Sequence, residues 1–272
     1  MIGFNHLGQI GRLGNQMFQC AGLVGIAEHN GYDYCIPDHS MYNDYGGYIH
    51  HELQGCFKMK HFEGKCGFVD GDLVQLDQYH FCQELLDECP DNVTLVGYFE
   101  SEKYFKHAED KVRENYEFHD FIQEKCYNYG KEYLKDKPVG VVVRRGDFLA
   151  EHNKNRHCLC GLDYYQEALS KFEGRTILVF SDDISWCRDQ EIFKNQNTFF
   201  VDSSEGIFKG HFDLCLLSMC SDFIIANSTF AWWGAWLSSN KDKKVIAPKR
   251  WYGPELEHLI LKDQLPETWE RI

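Results

Sequence analysis

Val139-Gly140-Val141-Val142-Val143-Arg144-Arg145-Gly146-Asp147 joins an unbroken apolar run to two arginines, a glycine and an aspartate. A run without polar alternation is the pattern of a strand buried on both faces, as in a parallel sheet. Toward the C-terminus, Thr176–Phe180, Thr198–Val201, Phe223–Ala226 and Lys244–Ala247 read as further strands. Between them Asp163–Phe172, Trp186–Lys194, Phe212–Cys220 and Ser228–Ser238 read as helices. Strands that alternate with helices predict a parallel sheet covered on both sides. Ligands of such sheets bind at the carboxyl ends of the strands, which is where Arg144 and Arg145 stand.

Toward the N-terminus, Lys137-Pro138 marks a break, so the expected domains are 1–137 and 138–272. The opening segment carries Gly3, Gly8, Gly11 and Gly14. From Asn15 to Asn30 the apolar spacing is helical, and Asn30-Gly31 supplies a stop. Tyr34-Cys35-Ile36 and Val93–Phe99 read as strands, and 101–135 as one or two amphipathic helices. Residues 38–92 show only weak periodicity.

Composition narrows the function. The chain has 272 residues, 43% of them hydrophobic, with 20 Phe and 15 Tyr, which is ample for a globular core. A formal net charge of −14 argues against nucleic acid and against an anionic membrane surface as partners. An anionic ligand then needs a local cationic site, so clustered arginines are informative. Twelve cysteines are scattered without a Cys-x-x-Cys pair, and Cys158, Cys160, His152 and His157 match no common zinc spacing. Reduced thiols are expected. The start of the chain lacks a basic segment followed by an apolar run, and no stretch approaches 18 apolar residues. A soluble, cytoplasmic protein without a membrane span is the expectation.

Three clusters carry candidate chemistry. Gly11-Arg12-Leu13-Gly14-Asn15-Gln16 leads into a helix, where glycines permit close backbone approach and the helix N-terminus favours anions. Its spacing is not that of the dinucleotide fingerprint, and plain turn chemistry is the alternative. Arg144-Arg145-Gly146-Asp147 offers planar guanidinium forks that match phosphate oxygens in pairs, with Asp147 to orient one of them. An Arg–Asp surface pair is the alternative, and neighbouring side chains on a strand point apart. Ile224-Ile225-Ala226-Asn227-Ser228-Thr229-Phe230 brings polar groups to a helix start, for capping or for phosphate. Phe230, Trp233 and Leu237 share one helix face and read as core. Trp232 and Trp236 share another, where packing competes with a sugar contact. Asp213 is a carboxylate suited to the guanine edge or to a helix N-terminus. Asp182 and Asp183 follow a strand and read as a metal pair or as a cap, without Asp-x-Asp spacing.

Taken together these segments resemble glycosyltransferase family 11, the α-1,2-fucosyltransferase family. The resemblance rests on Gly11-Arg12-Leu13-Gly14-Asn15-Gln16-Met17-Phe18, Gly97–Phe105, Arg144-Arg145-Gly146-Asp147, Phe180–Asp183, Ala226–Leu237 and Val245–Trp251, in family order over nearly the whole chain. It implies a GT-B-like α/β fold of two Rossmann-type halves with parallel sheets flanking a cleft. The N-terminal half would lie on the acceptor side and the C-terminal half would hold the donor. It implies transfer of fucose from GDP-fucose to a galactoside with inversion, with no cofactor and no required metal. Arg144 falls where relatives bind the β-phosphate, Asp213 where they bind guanine, and Ser228-Thr229 where they bind phosphate. Arg12, Gly14, Asn15, Asn227 and Phe230 complete the expected donor contacts. Two departures stand out: Val142 replaces a histidine, and Ser221-Asp222 replaces a Lys-His pair.

The implied chemistry places Arg144, Arg145 and Asp147 at the reacting centre. Cleavage builds positive charge on the sugar and negative charge on the departing GDP. Asp147, Glu151 and His152 are the candidates by position for taking the acceptor's proton. The rival functions are a metal-dependent glycosyltransferase working through Asp182 and Asp183, and a catalytically silent nucleotide-sugar or glycan-binding protein.

Overall fold

The computed structural model describes the chain except residues 39–41, 44–46, 49, 196, 203–208 and 260–261, and only the backbone at 42–43 and 47–48. Part of the 38–92 stretch therefore lies outside the described residues. The chain forms two compact units: Met1–His119 with Leu259–Pro266, and Asp120–His258 with Glu267–Ile272.

The first unit contains strands β1 (Ile2–Gly3), β2 (Tyr34–Cys35), β3 (Tyr42–Asn43), β4 (Gly47–Tyr48), β5 (Asp72–Gln75) and β6 (Val93–Val96). Its helices are α1 (Leu13–Asn30), α2 (Leu53–Cys56), α3 (Gln83–Glu88) and α4 (Glu109–Asn115). A parallel sheet runs β2-β1-β6-β5, and β3 and β4 form a separate antiparallel pair. The α1 helix is buried nearly all round from Leu13 to Ala27, a stronger burial than its apolar stripe predicts. Its Gly25 lies against the Tyr104 carbonyl, where a Cβ would stand 2.0 Å from the oxygen. The predicted Val93–Phe99 strand stops at Val96, because Gly97 and Phe99 turn to positive φ.

The second unit contains β7 (Val139–Val143), β8 (Ile177–Ser181), β9 (Thr198–Phe200), β10 (Asp222–Ile224), β11 (Val245–Ala247) and β12 (Glu270–Arg271). Its helices are α5 (Asp120–Leu134), α6 (Leu162–Ser170), α7 (Ile184–Asp189), α8 (Lys209–Ser218) and α9 (Thr229–Leu237). All six strands are parallel, in the order β12-β11-β10-β7-β8-β9. Strand β7 explains the valine run. Val139, Val141 and Val143 pack with Tyr164, Tyr165 and Ala168 of α6. On the other face, Gly140 lies against Leu217 and Cys220. Each fully buried aliphatic side chain is worth roughly 1.5–3 kcal/mol.

The unit boundary falls before α5 rather than at Lys137-Pro138. In α5 the Cys126 thiol meets the Phe212 carbonyl of α8 at 3.4 Å, and Gly130 packs so closely that a Cβ would stand 2.7 Å from Leu216. The helix therefore belongs with the second sheet. No disulfide forms among the described residues. Among them, no helix is long and apolar enough to cross a membrane.

Candidate active site

Three adjacent strands, β10, β7 and β8, deliver polar turns at their carboxyl ends: Asn227-Ser228-Thr229, Arg144–Asp147 and Asp182-Asp183. Arg144 donates from Nη2 to Asp147 Oδ1 at 2.5 Å and pairs through Nη1 with Asp182 Oδ2 at 2.6 Å. Arg145 pairs through Nε with Asp183 Oδ2 at 3.2 Å, and its backbone N–H donates to Asp182 Oδ1 at 2.9 Å. Its guanidinium lies 3.7 Å from the ring centre of Trp186. The two arginines thus turn to different partners, as neighbouring residues at a strand end should. Both side chains are about a quarter exposed or less, at 24% and 21%.

Asp182, read from the sequence as one of a metal pair or a cap, is instead the hub of the arginine turn. It bonds both arginines and lies against Gly146, where a Cβ would stand 2.6 Å from its Oδ2. Any side chain at 146 would push that carboxylate away. Asp183 is the cap of α7, accepting from the Trp186 N–H at 3.2 Å. Neither aspartate stands apart as a metal pair, and among the described residues no group of three or more His, Cys, Asp or Glu is arranged to hold a metal ion. Two guanidiniums face three carboxylates here, so an incoming anion competes with existing ion pairs.

Below Arg144 lies Phe148, with the guanidinium 5.5 Å from its ring centre, and His157 stacks on Phe148 at 4.3 Å and 7°. Burial holds the His157 imidazole below its ordinary pKa, against the opposing pull of Asp147. Asn153 Nδ2 donates to the Asp147 carbonyl at 3.0 Å. Glu151 and His152 are exposed on the next turn. The Cys160 thiol meets Asn227 Oδ1 at 3.8 Å and the Cys158 thiol meets the Leu159 carbonyl at 3.8 Å, and with His157 they form no metal-holding group among the described residues.

At the end of β10, Ser228 is the cap of α9, accepting from the Ala231 N–H at 3.5 Å. Asn227 instead ties down the turn, donating to the Trp251 carbonyl at 2.6 Å. Ser228, Thr229 and Phe230 are half-buried. Trp232 and Trp233 are fully buried, against each other and Trp236. Of the two roles weighed for Trp232, packing is the one its burial supports, and the core role expected of Trp233 holds. Asp213 does not open its helix: α8 starts at Lys209, one turn earlier, and Lys209 Nζ donates to Asp213 Oδ2 at 2.7 Å.

In the first unit the Gly11 turn is held from beneath by amides. Gln19 Nε2 donates to the carbonyls of Ile10 at 3.2 Å and Gly97 at 3.1 Å. Gln16 accepts from the Glu52 N–H at 2.8 Å. Gly11 has φ +81°, and a Cβ there would stand 2.4 Å from Asn15 Nδ2. Arg12 precedes α1 and is exposed, Gly14 is buried and Asn15 half-buried. Among the described residues no carboxylate pairs with Arg12.

A profile of glycosyl transferase family 11 matches residues 73–271. The chain belongs to that family. It is 30% identical to an alpha-1,2-colitosyltransferase of Escherichia coli, covering 96% of each chain. It is 28% identical to galactoside alpha-(1,2)-fucosyltransferase 2 of Hylobates lar, covering 84% of this chain and 67% of that one. Among solved structures it resembles POFUT1 in complex with GDP-fucose, with a TM-score of 0.55 and 12% identity, covering 100% and 97%. It also resembles the NodZ alpha-1,6-fucosyltransferase co-crystallized with GDP, with a TM-score of 0.54 and 14% identity, covering 87% and 91%. The fold is accordingly GT-B-like, and the chain is a glycosyltransferase.

Within family 11 the two departures fall at different places. Val142 lies two residues before Arg144 and is buried. Ser221-Asp222 sits at the opposite end of the sheet, at the amino end of β10, where Asp222 pairs with Arg175 at 2.9 Å and accepts from the Lys244 N–H at 2.8 Å. That departure builds a strand start, away from the arginine turn.

Proposed function

We propose that this family 11 glycosyltransferase moves L-fucose from GDP-fucose to the 2-hydroxyl of a galactoside, with inversion and without a metal. One observation carries the reading: two neighbouring strands, β7 and β10, bring two guanidiniums and a Ser/Thr helix N-terminus to one rim of a parallel sheet. Such a rim suits a diphosphate. Arg144 and Arg145 meet the developing charge on departing GDP, as preorganised charges do elsewhere. Ser228, Thr229 and the N–H groups opening α9 bind phosphate oxygens, beside Phe230, and Asn227 holds that turn. Asp213 takes the guanine edge in exchange for Lys209. Arg12, Gly14 and Asn15 are the first unit's donor-binding residues, and that unit otherwise serves the acceptor. Asp147, already beside Arg144, is assigned the acceptor's proton.

The test is incubation with GDP-fucose and lactose, with GDP release followed and the product linkage read by NMR. An α-1,2-fucosylated product, unaffected by EDTA, is expected. Turnover abolished by EDTA points to metal dependence, and tight donor binding without turnover points to a silent binder. Either result overturns the proposal. The colitosyltransferase matched over 96% of both chains favours a second reading, because colitose is L-fucose without its 3-hydroxyl. A parallel assay with GDP-colitose separates the two: a larger kcat/KM for the 3-deoxy donor replaces fucose by colitose.

A further inference from the structure

We propose that Trp186 and Asp183 are positioning residues that hold the Arg145 guanidinium for the donor's diphosphate. The inference rests on the donor assigned above and adds to it which residues aim its second arginine. Asp183 uses its two oxygens for two tasks. Oδ1 accepts from the Trp186 N–H at 3.2 Å and starts α7, while Oδ2 takes Arg145 Nε at 3.2 Å. The Asp183 N–H donates to Ser181 Oγ at 2.9 Å, which ties the carboxylate's own backbone to the end of β8. Trp186 is half-buried against the core of the second sheet, so its ring is a fixed platform.

A guanidinium stacked 3.7 Å from that ring centre and pinned at Nε has its plane defined. What remains is the Nη1 and Nη2 edge, which meets no acceptor among the described residues. Arg144 is different. Both of its Nη atoms are engaged by Asp147 and Asp182, and its ring neighbour is farther, at 5.5 Å. Arg145 therefore keeps an unspent fork for phosphate, and lysine, which lacks a planar face, cannot reproduce it.

The test is GDP affinity by calorimetry for the wild type, Trp186→Leu, Trp186→Phe, Arg145→Ala and the double variant Arg145→Ala/Trp186→Leu. Trp186→Leu is expected to weaken GDP binding about tenfold, and Trp186→Phe, which keeps a ring, by less than about threefold. On the Arg145→Ala background, Trp186→Leu is expected to add nothing, since its effect passes through that guanidinium. If Trp186→Leu fails to fold, Asp183→Asn carries the same cycle, because it keeps the cap and removes the negative charge that faces Arg145 Nε. Losses that add in the double variant, or unchanged affinity in the single ones, overturn this inference alone. A wild-type protein without affinity for GDP overturns the donor assignment and this inference with it.

Discussion

The turn before α1 and the turn after β7 both present arginine beside glycine, yet they are held by opposite means. In the first unit the supports are neutral. Amides of Gln16 and Gln19 anchor the Gly11 turn to backbone groups, and Arg12 stands exposed above it. In the Gly97–Phe105 segment Glu100 is buried against the Gln264 amide, and burial pushes its carboxyl up to about 7, while the neighbouring Lys103 pairs with Asp263. In the second unit the supports are charged, with Arg144 and Arg145 themselves part of the framework with Asp147, Asp182 and Asp183. A residue that only projects from a scaffold can be removed at little structural cost. A residue that is both scaffold and chemistry cannot.

The largest expected effect tests the charged turn. Arg144→Ala should lower turnover about 100-fold or more, because one preorganised charge contact is worth roughly 3 kcal/mol. Near-normal turnover would break the comparison by making the arginine scaffold alone. The neutral side is sharpened by Glu100. Its folded pKa of about 7 lies above the 4.5 of the free carboxyl, so the native state retains a proton that the unfolded chain gives up. The Glu100 contribution to stability is then fullest below pH 4.5 and falls as pH rises toward 7. Glu100→Gln should remove that fall, gaining up to about 3 kcal/mol over the wild type at pH 8 relative to pH 4. Urea midpoints at the two pH values measure it, and parallel pH dependence in the two proteins refutes it.

Smaller effects separate turn from arginine. Gln19→Leu leaves the carbonyls of Ile10 and Gly97 without their donor and should cost about 2 kcal/mol in denaturant unfolding. Arg12→Ala should stay within about 0.5 kcal/mol of the wild type in the same assay, while weakening GDP binding. A destabilisation by Arg12→Ala as large as that of Gln19→Leu would erase the distinction between the two turns.

Much of the second unit is readable without coordinates. The valine run of β7 has no polar alternation because α6 covers one face and Leu217 and Cys220 the other. Helix α9 starts after Ser228 because a hydroxyl there meets the Ala231 N–H. The first unit is harder. Its strand β5 reads exposed-exposed-intermediate-exposed over Asp72–Gln75, so no buried face announces it. Helix α5 carries no local mark of which sheet it joins, since that depends on Phe212 and Leu216, more than 80 residues away.

Sequence alone determined the parallel α/β character, the arginine turn at a strand's carboxyl end and the family, because these are written in residues adjacent along the chain. Tertiary structure decided the rest. It set Asp182 against both arginines, laid Arg145 on Trp186, buried Trp232 away from any sugar and moved the unit boundary to His119. Periodicity and capping are local signals, whereas ion pairs and ring contacts join residues that only the folded sheet brings together.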